Sequence, residues 1–334
     1  MLGIDTYRLK TRWNALRKLY TLEQREFDAF MDSYRLFDGD WNHPNGKREE
    51  QLIDYYNVLN HLCSLGNIEK MYFPPQMDAS VGVIANQELF EKKMMRDLGA
   101  RAGWRMLDIG CGRGRVAHSV ARETGAHVTG INIDSSQISN AREFALRTGF
   151  QDRIEFHVRS LNEKLPFADE TFDGAYEIQA FSYAKDLASV CSEVARVLKP
   201  GARISALDWV LLPRYDSSDP EHVELVERAC GLLGAVASPT LMDLEIAMQK
   251  GGLQVVLSEN PSIEQQQNQM ISDEDKYFHW LRRFVDLGVK TRVFPKYFMP
   301  LLDRLMKDAD ALITVDKMGI GTTCYQVVAE KPAV

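Results

Sequence analysis

Leu107-Asp108-Ile109-Gly110-Cys111-Gly112-Arg113-Gly114-Arg115 stands between an apolar run and an amphipathic one and reads as a strand, a glycine turn and a helix start. Glycines at alternate positions let the backbone bend sharply and come close to a ligand, and the helix that follows opens with unpaired N–H groups. A polar ligand is therefore expected at this turn. The spacing is Asp-x-Gly-x-Gly-x-Gly, whereas the dinucleotide fingerprint is Gly-x-Gly-x-x-Gly with an acidic residue about 20 positions on. The difference favours S-adenosylmethionine over a nicotinamide cofactor.

From Trp104 onward, short apolar runs alternate with amphipathic stretches, the pattern of a parallel sheet built from strand-helix units. Strands are predicted at 105–109, 127–132, 154–158, 172–178, 202–210, 253–258 and 323–329. The fold class is α/β, a Rossmann-like, doubly wound, mostly parallel seven-stranded sheet. Val116, Val120 and Ala121 share one face of a helix at 114–124, and Ile138, Ala141, Ala145 and Leu146 share one at 135–148. Lys199-Pro200-Gly201 is expected to turn the backbone sharply from a helix at 186–198 into the next strand. Glu264-Gln265-Gln266-Gln267-Asn268 reads as an exposed polar linker.

The S-adenosylmethionine-binding core is assigned to 104–259, with the final strand and tail at 323–334. Residues 1–103 form an N-terminal helical extension and lid that this core does not require. Within it Leu9, Trp13, Leu16 and Tyr20 follow a 4-3-4 spacing and make one apolar stripe on a helix rich in Arg and Lys. The stripe either packs on its own domain, or crosses to another subunit or closes the active site, bringing Tyr20 with it. Residues 260–322 form a helical insertion carrying Tyr277, Phe278, Trp280, Phe284, Phe294, Tyr297 and Phe298. Such aromatics pack cores, and they also line pockets for apolar substrates.

Composition bounds the function. The protein has 334 residues, 45% hydrophobic and 26% charged, with a net charge of −7. An acidic balance with scattered Lys and Arg argues against nucleic acid, which needs a clustered basic face. Cys63, Cys111, Cys191, Cys230 and Cys324 are odd in number and lack metal or redox spacing, so reduced thiols, no metal and a cytoplasmic location are expected. No apolar run is long enough for a transmembrane segment, and the start is not a secretory signal.

The segment 104–222 resembles the sterol 24-C-methyltransferase family, a branch of the class I S-adenosylmethionine-dependent methyltransferases. Beyond the glycine turn, the likeness runs through Gly130-Ile131-Asn132-Ile133-Asp134-Ser135-Ser136-Gln137, Phe172-Asp173, Glu193 and Val197-Leu198-Lys199-Pro200-Gly201. Its most specific part is Asp208-Trp209-Val210, Tyr215-Asp216 and Pro220-Glu221-His222, which parallel the family's Glu-Trp-Val, Lys-Tyr-Asp and Pro-Glu-His. The C-terminal stretch, Cys324 to Pro332, is similar to the family's last strand.

The resemblance implies that Gly110, Cys111, Gly112 and Gly114 contact the methionine part of the cofactor, with Asp108 holding the turn or bonding through water. Asn132 and Gln137 are implied partners of the ribose or adenine, Ser160 and Leu161 frame the adenine, and Ile133 and Ile178 complete the set. In that family the methyl acceptor is an alkene, and methylation creates a carbocation that must be kept from water and stabilised by aromatic faces and carboxylates.

Two departures matter. Where the family has Ile-Glu-Ala and then His, this protein has Ile178-Gln179-Ala180 and then Tyr183, an amide and a phenol that are poorer bases. The family's Tyr-Glu-Tyr-Gly-Trp-Gly segment has its nearest counterpart in Lys70-Met71-Tyr72-Phe73-Pro74-Pro75-Gln76. These departures point away from a sterol and towards a small apolar isoprenoid-containing substrate whose cation rearranges or cyclises, as in teleocidin-type terpenoid C-methyltransferases. Gln179, Tyr183, Tyr20 and Tyr72 are the candidate catalytic residues, and a homo-oligomer formed through the N-terminal helix is expected. Two alternatives stand beside this reading. One is carbon methylation of a sterol's tail; the other is a small-molecule O- or N-methyltransferase with His222 as base.

Overall fold

The computed structural model describes residues 2–37, 48–66 and 68–333. Helices run over Leu2–Tyr20 (α1), Gln24–Ser33 (α2), Arg48–Leu65 (α3), Val83–Leu98 (α4), Arg115–Thr124 (α5), Ser135–Thr148 (α6), Leu187–Val197 (α7), Pro220–Leu233 (α8), Leu241–Lys250 (α9), Asn268–Lys290 (α10), Phe298–Met306 (α11) and Ala309–Met318 (α12). Strands run over Arg105–Ile109 (β1), His127–Asn132 (β2), Ile154–Val158 (β3), Phe172–Ile178 (β4), Leu198–Leu211 (β5), Gln254–Glu259 (β6) and Gly321–Glu330 (β7). They form two compact units. One is helical and contains Met1–Met71, Ser217–Val236 and Asn268–Val315; the other contains Tyr72–Asp216, Ala237–Gln267 and Asp316–Val334.

The second unit holds the whole sheet, ordered β3-β2-β1-β4-β5-β7-β6. β1 to β5 are parallel, and β7 runs antiparallel between β5 and β6. This is the Rossmann-like class I arrangement expected from the alternating runs. Both faces are covered, so the central strands are buried and mostly apolar. Leu107 and Ile109 of β1 pack with Val194 and Val197 of α7 and Met248 of α9. Met106 packs on the other face with Phe90 and Met94 of α4, Val120 of α5 and Ile138 of α6. Thus α4, which precedes the predicted core, belongs to the sheet unit. The strand order reverses between β1 and β4, which opens a crevice at their carboxyl ends.

Three local expectations are corrected. Lys199-Pro200-Gly201 lies inside β5, where Gly201 takes a φ of 76° and the pairing with β4 jumps from Leu198 to Arg203. The glycine makes an irregularity in a strand that has already begun. In the 264–268 segment, Gln267 is buried rather than exposed. Its N–H donates to Asp316 Oδ2 at 2.8 Å, and its amide donates to the Pro74 carbonyl and accepts from Thr323. In the helical unit, α1 turns Ala15 and Leu19 inward and packs on α3, while Leu9, Trp13 and Tyr20 are exposed. The predicted stripe is therefore not the face that seats α1 on its own unit. Ala15 and Leu19, one turn apart, let the two helices approach closely.

Gly114 shows how little room the loop after β1 has. Its φ is +71°, and a Cβ there would sit 2.5 Å from the Phe156 ring. Gly114→Ala is expected to destabilise the fold by on the order of 2–4 kcal/mol from left-handed strain and overpacking. A urea midpoint at or above that of the wild type would contradict this.

Candidate active site

The loop after β1 is held by its neighbour strand. The N–H groups of Gly110 and Cys111 both donate to the Ile131 carbonyl at 3.0 and 2.9 Å, and Gly114 N–H closes the bend onto the Cys111 carbonyl. Gly110 has a φ of +75°, and a Cβ there would lie 2.4 Å from Ala180 Cβ. The turn after β1 is therefore pressed against the turn after β4. Asp108, buried beneath the bend, accepts from the Tyr176 hydroxyl at 3.0 Å. Burial pushes its carboxyl up to about 7, although the Tyr176 hydroxyl opposes this.

At the end of β2, Asn132 Oδ1 accepts from the Ile133 N–H and Nδ2 donates to Gln137 Oε1, each at 3.0 Å. Asp134 caps α6 by accepting from the Ser136 and Gln137 N–H groups, which fixes Gln137 on the first turn. A Cβ on Gly112 would meet Gln137 Oε1 at 3.2 Å, so the glycine turn and the amide pair share one small space. Ser160 Oγ accepts from the Asn162 N–H. Asn162 in turn donates to the Tyr183 carbonyl and accepts from the Lys185 N–H, tying the loop after β3 to the one after β4.

These features fit S-adenosylmethionine. The opening turn of α5 offers N–H groups for a carboxylate. The half-buried Asn132 and the adjacent Gln137 carry amide donors and acceptors suited to two ribose hydroxyls. The room over Gly112 is what a side group would fill. Gly110 to Gly114, Asn132 and Gln137 are thus brought together, with Ser160 and Leu161 on the adjoining loop.

Gln179 behaves differently from a general base. Its φ is +55°, and its amide is spent on backbone. Oε1 accepts from the Phe73 N–H, while Nε2 donates to the Phe73 carbonyl at 2.9 Å and the Thr323 carbonyl at 2.7 Å. It pins the 72–77 segment to the end of β4. Tyr72, next to that pin, is buried, and its hydroxyl donates to Glu91 and to the Gln87 carbonyl. Burial and the Glu91 carboxylate raise the phenol well above its ordinary value. Tyr183 is half-buried in the turn after β4. Tyr20 belongs to the helical unit, where its hydroxyl donates to the Val293 carbonyl at 2.8 Å.

Sequence reasoning gave no site role to Glu177, near the end of β4, or to Asp208, beside it on β5, both of them buried. The signal was present: each sits in phase with an alanine, Ala175 or Ala206, that faces the core beneath α7 and α9.

The methyltransferase-domain family matches residues 100–285. The methyltransferase phqN of Penicillium fellutanum is 28% identical over 340 residues, covering 93% of this protein and 99% of that one. The sterol 24-C-methyltransferase ERG6B of Gibberella zeae is 29% identical over 307 residues, covering 83% of this protein and 78% of that one. A solved structure of geranyl diphosphate C-methyltransferase from Streptomyces coelicolor A3(2) superposes with a TM-score of 0.61 at 16% identity, covering 86% of this protein and 98% of that one. That likeness is one of fold.

Two outcomes follow from this geometry. Asn132→Ala should weaken S-adenosylhomocysteine binding about tenfold by titration calorimetry, as expected for one or two lost hydrogen bonds; unchanged affinity would remove Asn132 from the site. Because the folded state holds the Asp108 proton more tightly than the unfolded one, stability from this group is full below pH 3.8 and is lost as pH rises to about 7. Asp108→Asn should remove a slope of about 1.4 kcal/mol per pH unit across that window, read from denaturation at several pH values.

Proposed function

This protein belongs to the methyltransferase-domain family, resembles the sterol 24-C-methyltransferases and uses S-adenosylmethionine, and on that premise we propose that it methylates carbon. The acceptor is an isoprenoid alkene carried on a small specialised metabolite, and the resulting carbocation rearranges or closes a ring.

One observation carries this reading. The turn from Ile178 to Ala184, which lies against the cofactor loop through Ala180 and Gly110, contains no histidine, carboxylate or lysine. Gln179 within it is committed to Phe73 and Thr323. An alcohol or amine needs a base as its bond to the methyl group forms. A carbon–carbon double bond does not. The cofactor supplies an electrophilic methyl group on a sulfonium. The alkene's electron pair forms the new carbon–carbon bond, the carbon–sulfur pair stays on sulfur, and positive charge appears on the adjacent carbon.

Phe181, buried, and Ile178, half-buried, keep water from that charge, and the Tyr183 ring offers an aromatic face to it. With no strong base beside it, the cation is not bound to immediate proton loss. Hydride shift, or capture by a second nucleophile in the same molecule, can precede release of the proton.

The protein acts in the cytoplasm as a homo-oligomer. Five buried cysteines, none of them in a disulfide, suit a reducing compartment. Among the described residues no helix is long and apolar enough to cross a membrane. Leu9 and Trp13, 69% and 66% exposed on α1, leave an apolar face that a second copy would cover. Trp13→Glu is expected to lower the mass measured in solution by light scattering; an unchanged mass would remove α1 from the interface.

The purified protein, given S-adenosylmethionine and a prenylated indole, should yield a product heavier by one methylene unit. Labelled methyl should appear on carbon by NMR and survive mild hydrolysis. Methylation of a sterol alone, or of an oxygen or nitrogen, would overturn the proposal.

A further inference from the structure

Glu177, one residue from the end of β4, and Asp208, just past the last residue of β5 that pairs with β4, lie buried on adjacent parallel strands. Glu177 Oε1 accepts from the N–H groups of Ala180 and Phe181. Asp208 Oδ2 accepts from the Phe181 N–H at 2.8 Å, and Oδ1 accepts from the Trp209 N–H at 2.6 Å. The other oxygen of Glu177 is buried with no donor from the rest of the protein. Both carboxyl groups accept from the one Phe181 N–H, so they lie side by side in a dry space where two like charges repel and a single shared proton relieves the conflict.

We propose that Glu177 and Asp208 share one proton and together act as positioning residues for methyl transfer, clamping the amides of residues 180 and 181 so that Ala180 is held against Gly110 of the cofactor loop. The contacts run without a gap. Gln179 is held in a left-handed conformation that costs a non-glycine residue about 1–2 kcal/mol, so the turn needs an outside constraint to keep this shape. The paired carboxyls supply it from behind, and the Gln179 amide supplies it from the side through Phe73 and Thr323. Ala180 then meets Gly110 with no space between them. Displacing the turn moves the acceptor side of the site relative to the cofactor side.

Glu177 holds the proton, because its second oxygen meets no donor, and burial, followed by the neighbouring Asp208 charge, raises its carboxyl in the same sense. Asp208, raised to about 6 by burial and held down by the Trp209 N–H and by Glu177, carries the single charge. One negative charge shared among several amide donors is a satisfied arrangement, whereas two would repel in a dry site.

This inference rests on the assignment as an S-adenosylmethionine-dependent methyltransferase and not on the identity of the acceptor, so its test uses none. The infrared spectrum of the whole protein at neutral pH should contain the stretch of a protonated buried carboxyl that Glu177→Gln removes. Glu177→Gln keeps an oxygen for the amides and an N–H for Asp208. It should therefore restore most of the S-adenosylhomocysteine affinity and the slow amide exchange at 180–181 that Glu177→Ala loses, a loss of about 10- to 100-fold for a broken charge-assisted network. Asp208→Asn, which sets an amide donor against N–H groups, should lose affinity like Glu177→Ala. If the carboxyl band survives Glu177→Gln, or if Gln at 177 behaves like Ala, the shared proton and its positioning role are both overturned. Should Glu177→Ala fail to fold, the infrared comparison and Asp208→Asn still decide.

Discussion

The close approach of Gly110 to Ala180 is the constraint on which the carboxyl edge of the sheet depends. Two turns from neighbouring strands meet where even one methyl group more would not fit. Contact at that distance needs three conditions together. Residue 110 must lack a side group, the bend after β1 must be tied to the Ile131 carbonyl, and the turn after β4 must be stiff enough not to retreat. Backbone hydrogen bonds meet the second condition. Buried carboxyls and one glutamine amide meet the third, and that is why so much polarity lies beneath an apolar site.

Glu91, Asp108, Glu177 and Asp208 are among the acids buried in the sheet unit. Ionised carboxylates in such surroundings are costly unless each oxygen finds a donor. The fold answers with phenols on one face of the sheet, Tyr72 for Glu91 and Tyr176 for Asp108. On the other face it answers with backbone amides, for Glu177 and Asp208. The aromatic rings thus do two jobs, filling the core and donating to a carboxylate at their tips. A phenylalanine at 176 would pack as well and leave Asp108 facing nothing.

The fold was legible because it is written in periodicity. The first four strands fall at the residues their apolar runs mark, and the cofactor loop is announced by glycines whose positions only a left-handed bend explains. The amide pair Asn132 and Gln137 was also readable, since both lie at fixed offsets from the end of β2. What sequence could not supply was direction. Gln179 was visible as an amide where the family has an acid, but nothing in the string shows that its amide turns to Phe73 and Thr323, both distant in sequence. Glu177 was marked only by its phase with Ala175: within Tyr-Glu-Ile it looks like the polar position of an alternating strand, and burial on both faces makes its carboxyl an interior one. The stripe on α1 was correctly seen as apolar, yet which face of a helix meets its neighbour depends on the small residues opposite, here Ala15.

Gln267 and Asp316 carry a consequence for how the sheet unit tolerates what is inserted between them. The first ends one stretch of the sheet unit and the second begins the next, and the hydrogen bond between them joins the two ends of the excursion that contains α10 and α11. Closing a loop at its base removes most of the dependence of the scaffold on what the loop contains, because its conformational cost grows only slowly with length. A change of length between residues 268 and 315 is therefore expected to cost the sheet unit little.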